Sequence, residues 1–70
     1  MALRDQLDRL IEEMVDKGLR YPEAHREFER RFIAQVLARH DGSLHRAADA
    51  LGMHRNTLSR KLVEHRIKKP

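Results

Sequence analysis

Residues 42–62 read GSLHRAADALGMHRNTLSRKL, and they contain the clearest signals of how the chain folds. Ser43 is suited to cap the N-terminus of a short helix from Leu44 to Leu51. Gly52 ends that helix, because glycine accepts a turn conformation that a residue with a Cβ atom resists. A further helix follows from about Arg55 to Arg66. The stretch therefore predicts two helices joined by a glycine-containing turn, which is the arrangement of a helix-turn-helix unit.

Small and apolar residues predict how these two helices pack. Ala47 and Ala48 have small side chains, so we expect the two helices to approach each other closely at these positions. Leu58 and Leu62 are four residues apart and therefore lie on one face of the later helix, pointing inward. The apolar set that is expected to fix the angle between the helices consists of Leu51, Met53, Leu58 and Leu62.

The outward face of the later helix is polar and carries side chains that suit DNA. Arginine can donate two hydrogen bonds to guanine, asparagine can pair with adenine, and the threonine methyl group can touch thymine. Hydroxyl groups can equally bond phosphate oxygens, and Arg46 and Lys61 also fit phosphate contacts. An ordinary solvated helix face is the alternative. The residues expected to face outward are Arg55, Asn56, Thr57, Ser59 and Arg60.

Two longer amphipathic segments precede this unit. The first runs from Ala2 to Lys17 and ends at Gly18, where a left-handed cap is needed. The second opens with Tyr21-Pro22-Glu23 and continues to about His40, with proline in the first turn, where it is tolerated. The chain is therefore predicted to be all-α with four helices, as a single domain of residues 1–70. Residues 1–40 form a helical hairpin and residues 43–66 form the helix-turn-helix.

The hairpin is expected to form a homodimer. A chain of 70 residues buries only about 60% of its unfolded surface, and without cysteine it has neither disulfides nor thiolate zinc sites. Two hairpins packed together would form a four-helix core that shields both apolar stripes. In the alternative, the C-terminal helices cover the stripe of a monomer. The residues expected in the dimer interface are Leu3, Leu7, Leu10, Ile11, Met14, Phe28, Phe32 and Val36.

The positive charge is confined to the second part of the chain. Residues 1–40 contain eight Lys or Arg and eight Asp or Glu, whereas residues 41–70 contain seven basic and three acidic residues. The whole net charge of +4 therefore belongs to the end that contains the helix-turn-helix. This asymmetry indicates a polyanion-binding end joined to a neutral packing end. A solvated basic surface is the alternative from charge alone.

Several function classes lack support in the sequence. There is no nucleophile–base set and no glycine-rich phosphate loop, so we expect no enzyme activity, no cofactor and no small-molecule ligand. The five histidines lack ligand spacing for a metal site. No apolar run reaches the roughly 18 residues of a membrane span and no secretory signal opens the chain, so we expect a cytoplasmic protein without a membrane partner. The histidines are His25, His40, His45, His54 and His65.

The stretch at residues 42–62 resembles the Fis-type helix-turn-helix. That module forms the end of the Fis nucleoid protein and of many enhancer-binding transcription activators. The resemblance covers about twenty residues, and the upstream hairpin is compatible with the dimer-forming helices of Fis. The matching positions are Gly42, Arg46, Ala47, Ala48, Leu51, Gly52, Arg55, Thr57, Leu58, Lys61 and Leu62.

The resemblance implies an intertwined homodimer in the bacterial nucleoid whose paired recognition helices enter successive major grooves and bend the duplex. It implies that His54, Arg55 and Thr57 act at the start of the recognition helix, with Arg55 reading guanine. It also implies that Arg60 faces phosphate. Two further residues, Ser43 and His45, match positions that approach the DNA backbone. His54 stands where Fis carries asparagine, and Ser59 and Glu64 replace residues that are often basic.

We therefore expect sequence- or shape-selective binding of double-stranded DNA as a homodimer, for transcription regulation or DNA bending. The alternative is a small helical protein-interaction module that docks an acidic partner. RNA is a less suitable partner, because the single tyrosine and the two phenylalanines belong to the hairpin and not to a surface for base stacking.

Overall fold

The computed structural model describes residues 2–68, and these form four α-helices without a strand. They are α1 (Leu3–Asp16), α2 (Tyr21–Arg39), α3 (Leu44–Leu51) and α4 (Arg55–Glu64). The predicted all-α class is confirmed, and every helix begins within one residue of its predicted start. In the described residues no helix is both long and apolar enough to cross a membrane.

Side-chain oxygen atoms cap the starts of α2 and α3. The Ser43 hydroxyl accepts a hydrogen bond from the backbone N–H of Arg46 at 3.3 Å, which confirms its capping of α3. The Glu23 carboxylate accepts one from the backbone N–H of Arg20 at 3.1 Å, at the start of α2. These bonds satisfy N–H groups that have no partner within the helix.

All four helices end in a Schellman motif. In each, an N–H group donates to the carbonyl five residues earlier, over distances between 2.9 and 3.1 Å. The residue before that donor has a positive φ, which favours glycine. α1 and α3 use Gly18 (φ 77°) and Gly52 (φ 71°), whereas α2 and α4 place Asp41 (φ 54°) and Arg66 (φ 53°) in this conformation.

The predicted C-terminal end of the last helix is wrong by two residues. α4 ends at Glu64 and not at Arg66, because Arg66 adopts the left-handed conformation and turns the chain back. Ile67 then donates its N–H to the Leu62 carbonyl at 2.9 Å, and its side chain packs against the core. The chain that follows α4 is therefore anchored to the core at Ile67.

The hydrophobic core lies between the C-terminal half of α2 and the two helices of the helix-turn-helix. α3 packs against both α2 and α4. The predicted close approach at the two alanines and the predicted inward face of α4 are confirmed. Five further apolar residues, among them Leu51 and Met53, are partly buried against this core. The buried core residues are Ile33, Leu37, Ala47, Ala48, Leu58 and Leu62.

The apolar face of the hairpin remains exposed in the single chain. No residue of α1 is buried, and Phe28 and Phe32 on α2 are about half exposed. α1 and α2 enclose an open groove of about 850 Å³ lined mainly by apolar side chains. The C-terminal helices cover Ile33 and Leu37 but leave this groove open. Of the residues predicted for a dimer interface, Met14 and Val36 are half-buried and the other six are exposed.

Candidate nucleic-acid interface

The candidate interface centres on the N-terminal end of α4. The backbone N–H of Asn56 donates to Nδ1 of His54 at 3.0 Å, so the imidazole caps this helix. Since Nδ1 is the acceptor, the neutral ring carries its proton on Nε2 and keeps one donor for another partner. Sequence reasoning treated His54 only as a DNA contact at the start of the recognition helix and missed its capping role. The signal was its position directly before the first helical residue, Arg55.

The outward side of α4 presents polar and basic side chains to solvent. Arg55, Asn56 and Arg60 are exposed, whereas Thr57 and Ser59 are partly exposed. Within residues 2–68 no carboxylate lies within ion-pair distance of either arginine. Both guanidinium groups are therefore able to contact an anionic partner. On the opposite face of α4, Leu58 and Leu62 hold the helix on the core.

α3 contributes a second polar edge. His45 and Arg46 are exposed, and Ser43 at the N-cap is partly exposed. The Nε2 atom of His45 lies 3.6 Å from a carboxylate oxygen of Asp49, one turn along the helix. This carboxylate places a negative charge among otherwise basic groups, so a protonated His45 would be partly neutralised in the free protein.

A shallow cleft brings the two helices of the unit together at this surface. It has a volume of about 410 Å³ and is lined by residues from α3, the turn and the start of α4. The structure thus places His45 beside His54 and Arg55, as a set of donors on one surface. The full lining is His45, Ala48, Asp49, Met53, His54 and Arg55.

Lys61 differs from the other candidate contacts, because it turns toward α2. Its ammonium nitrogen lies 2.5 Å from Oε1 of Glu29. The other carboxylate oxygen, Oε2, lies 2.7 Å from Nε2 of His65. The pKa of Glu29 is lowered from its ordinary value by the hydrogen bond from Lys61 first and by that from His65 second. The prediction that Lys61 contacts DNA stays a prediction, whereas its ion pair with Glu29 is a structural observation.

Glu29 and His65 were missed by the sequence reasoning. Glu29 stands one turn before Ile33, and Lys61 and His65 are three and seven residues after Leu58. These spacings place each polar residue on the same helix face as a buried apolar residue. That periodicity was the available signal, although it does not identify the partner across the core.

Residues 2–68 contain no group of three His, Asp or Glu side chains arranged to hold a metal ion. The cluster of Glu29, Lys61 and His65 therefore offers two potential ligands and one cation. It is built as an ion pair with an added imidazole and does not resemble a metal centre.

The helix-turn-helix and most of α2 match a known protein family. The model of the family described as bacterial regulatory protein, Fis family, matches residues 24–65. This segment contains most of α2 and all of α3 and α4, and it accounts for well over half of the chain. No curated protein and no solved structure matches the chain significantly.

Proposed function

The chain belongs to the Fis family of bacterial regulatory proteins, whose members carry a DNA-binding helix-turn-helix, and we propose that it binds double-stranded DNA selectively as a homodimer. In this proposal α4 enters the major groove with its N-terminal residues toward the base edges. The complex regulates transcription or bends DNA within the bacterial nucleoid. No cofactor or small ligand takes part.

The observation that carries the proposal is the division of α4 into a buried and an exposed face. Leu58 and Leu62 are buried in the core, whereas Arg55, Asn56 and Arg60 are exposed. A helix held in this way can insert its outer face into a groove without unfolding the unit that supports it. Arg55 is the side chain best placed to donate two hydrogen bonds to guanine, because it is the first residue of α4.

Residues outside α4 support contact with the DNA backbone. Arg46 and His45 are exposed on α3, and His45 lines the cleft that reaches Arg55. Arginine and protonated histidine are suitable partners for phosphate oxygens. Ser43 uses its hydroxyl oxygen to accept the N–H bond at the start of α3, and its hydroxyl proton remains available for a phosphate.

The exposed apolar face of the hairpin supports the homodimer. Leu10 and Phe28 are 53% and 55% exposed, and they line the same open groove. Monomeric proteins rarely expose contiguous apolar patches larger than a few hundred Å². A second copy offers an equal apolar face, and two-fold packing would remove both faces from water. Such a dimer presents two copies of α4 to one side of a duplex, and bending of the DNA brings both into successive major grooves.

A gel-shift titration against mixed genomic fragments tests the proposed function. It is carried out at about 150 mM salt with excess competitor DNA, where non-specific binding is weak. We expect a few fragments to remain as discrete complexes, and their alignment gives the half-site spacing. A uniform smear that dissolves with added salt would limit the function to general DNA coating. No binding at low salt would refute DNA binding and favour a protein-interaction module with an acidic partner.

A further inference from the structure

A polar cluster joins α2 directly to α4 at the edge of the core. We name it the α2–α4 clamp and define it as Glu29, Lys61 and His65. The carboxylate of Glu29 accepts from Lys61 at one oxygen and lies 2.7 Å from the His65 ring at the other. The side chains are 20% exposed for Glu29, 28% for Lys61 and 1% for His65. Both oxygens of one carboxylate therefore hold the C-terminal end of α4, at Lys61 and at the C-cap residue His65.

The clamp lies at the opposite end of α4 from the candidate base contacts. Lys61 and His65 stand at the C-terminal end of the helix, whereas Arg55 is its first residue. The ten residues of α4 span about 15 Å at a rise of 1.5 Å per residue. A tilt of about 10° at the clamped end would move the other end by roughly 2–3 Å over that length. This displacement exceeds the range of distances over which a hydrogen bond to a base edge forms.

Directional bonds constrain such a tilt more tightly than apolar contacts do. Contacts among leucine side chains set the angle between α3 and α4 but are non-directional, so a small change of that angle costs little buried area. The hydrogen bonds at Glu29 are directional and depend on the positions of both partners. The Nδ1 atom of His65 is buried and has no hydrogen-bond partner among the described residues. An apolar side chain at position 65 would avoid that unsatisfied atom, so stability alone does not account for the imidazole.

We propose that the α2–α4 clamp positions α4 for DNA recognition, with Lys61 serving as the counter-ion of Glu29 and not as a phosphate ligand. This inference rests on the proposed function. The three clamp side chains are positioning residues, because they act through the orientation of Arg55 and its neighbours. Arg60 is adjacent in sequence, exposed and without an acidic partner within residues 2–68, so it serves as the matched control.

Salt dependence distinguishes a counter-ion from a phosphate ligand. Each phosphate contact lowers the slope of log affinity against log salt concentration by about 0.9, because it releases a bound cation from the DNA. The substitution Arg60→Met should therefore reduce the magnitude of that slope by about 1. Lys61→Met should weaken specific binding and leave the slope unchanged, since the Lys61 charge is already neutralised by Glu29.

The substitution Glu29→Gln gives a second, opposite distinction. It removes one negative charge and so raises the net charge by one. If Lys61 were a phosphate ligand that Glu29 holds back from the DNA, the substitution would release it. In that case affinity would rise and the salt dependence would steepen. The clamp instead predicts that Glu29→Gln lowers affinity for the specific fragment by roughly tenfold, a size typical of coupling between contacting residues. The double variant that combines Glu29→Gln with Lys61→Met should lose no more affinity than either single variant, because both substitutions remove the same interaction.

The experiment measures the affinity of the wild type and of these four variants for a fragment that the wild type retains, at several salt concentrations. Urea unfolding of each variant confirms that it is folded at the assay temperature. If Glu29→Gln is not folded, the salt dependence of Lys61→Met alone decides between counter-ion and phosphate ligand. Parallel salt slopes for the wild type and Lys61→Met, with reduced specific affinity, support the clamp. A slope reduced as in Arg60→Met would overturn it while leaving the proposed function intact. A wild type that retains no fragment would overturn both.

Discussion

The backbone N–H of Asn56 donates a hydrogen bond to Nδ1 of His54 over 3.0 Å, at the point where α4 begins. The residue that caps the helix is thus also a candidate contact for DNA. Capping orders the first turn of α4 before any partner arrives, which reduces the entropy that binding would otherwise cost. The remaining ring nitrogen, Nε2, is the one available to donate to a DNA acceptor.

Replacement of His54 separates its capping from its other contacts. We expect His54→Ala to lower the free energy of unfolding by about 1 kcal/mol, because the first turn of α4 loses its acceptor. His54→Asn should retain wild-type stability, since asparagine is among the best N-cap residues. Urea unfolding monitored by circular dichroism measures both. Equal stabilities for the alanine and asparagine variants would show that the cap contributes nothing.

Gly52, the left-handed residue at the end of α3, allows the cost of backbone strain to be measured. An added Cβ atom at Gly52 would meet no other atom within 4 Å, so Gly52→Ala should change stability through the backbone alone. We expect a loss of about 1 kcal/mol, the cost of holding an L-residue in this region. Thermal unfolding measures it, and an unchanged midpoint would contradict the assignment of a positive φ at this turn.

At the corresponding position after α4, occupied by Arg66, a substitution is expected to stabilise the chain. Arg66 has a φ of 53°, so Arg66→Gly should relieve strain and stabilise the chain by about 0.5 kcal/mol after the extra freedom of the unfolded chain is included. Arg66→Ala is the control, because it removes the same charge and keeps the Cβ atom. If both variants were equally stable, relief of strain would not be the cause.

Acid should weaken the fold through Glu29. Hydrogen bonds from Lys61 and His65 hold the pKa of this carboxyl below its ordinary value of 4.5. A group with a lowered pKa in the folded state stabilises the fold above its unfolded pKa and loses that contribution as pH falls through the folded value. Below about pH 5 the unfolding free energy of the wild type should therefore fall more steeply than that of Glu29→Gln. If urea titrations showed the unfolding free energies of the wild type and of Glu29→Gln falling equally with pH, this contribution of Glu29 would be refuted.

The proposed dimer is tested by a charge on the open face of the hairpin. Phe28 is 55% exposed, so Phe28→Glu should leave the core of one chain intact while placing a charge in the apolar contact between two chains. We expect sedimentation equilibrium to give a dimer for the wild type and a monomer for this variant. Val63→Glu is the control, because Val63 is exposed on α4, outside the hairpin. A monomeric wild type would exclude the proposed interface.

Most of the fold follows from local patterns in the sequence. The helix starts follow from Ser43 and from the Pro22 turn, and the inward face of α4 follows from the spacing of Leu58 and Leu62. The end of α4 did not follow, because no glycine or asparagine marks the left-handed residue there. The sequence reasoning also missed the contact of Glu29 with His65, since the two are separated by 36 positions. Periodicity identifies the face that a residue occupies but not its partner on another helix.

The site was predictable in its residue types and less so in their contacts. Arg55, Asn56 and Arg60 lie on the exposed face of α4, which agrees with the helical spacing. The spacing did not reveal that Lys61, adjacent to Arg60, pairs with a carboxylate of α2. A basic residue near a buried face has two possible partners, an internal acid or an external phosphate, and local sequence does not distinguish them.

The most direct test of the central claim compares Arg55→Ala with Arg9→Ala in binding to a fragment that the wild type retains. Both arginines are exposed, but Arg9 lies on α1. If α4 reads base edges, Arg55→Ala should cost roughly 1–3 kcal/mol of specific binding, about 5- to 150-fold in affinity, and Arg9→Ala should stay within about twofold. Equal affinities for the two folded variants would contradict recognition through the N-terminal end of α4.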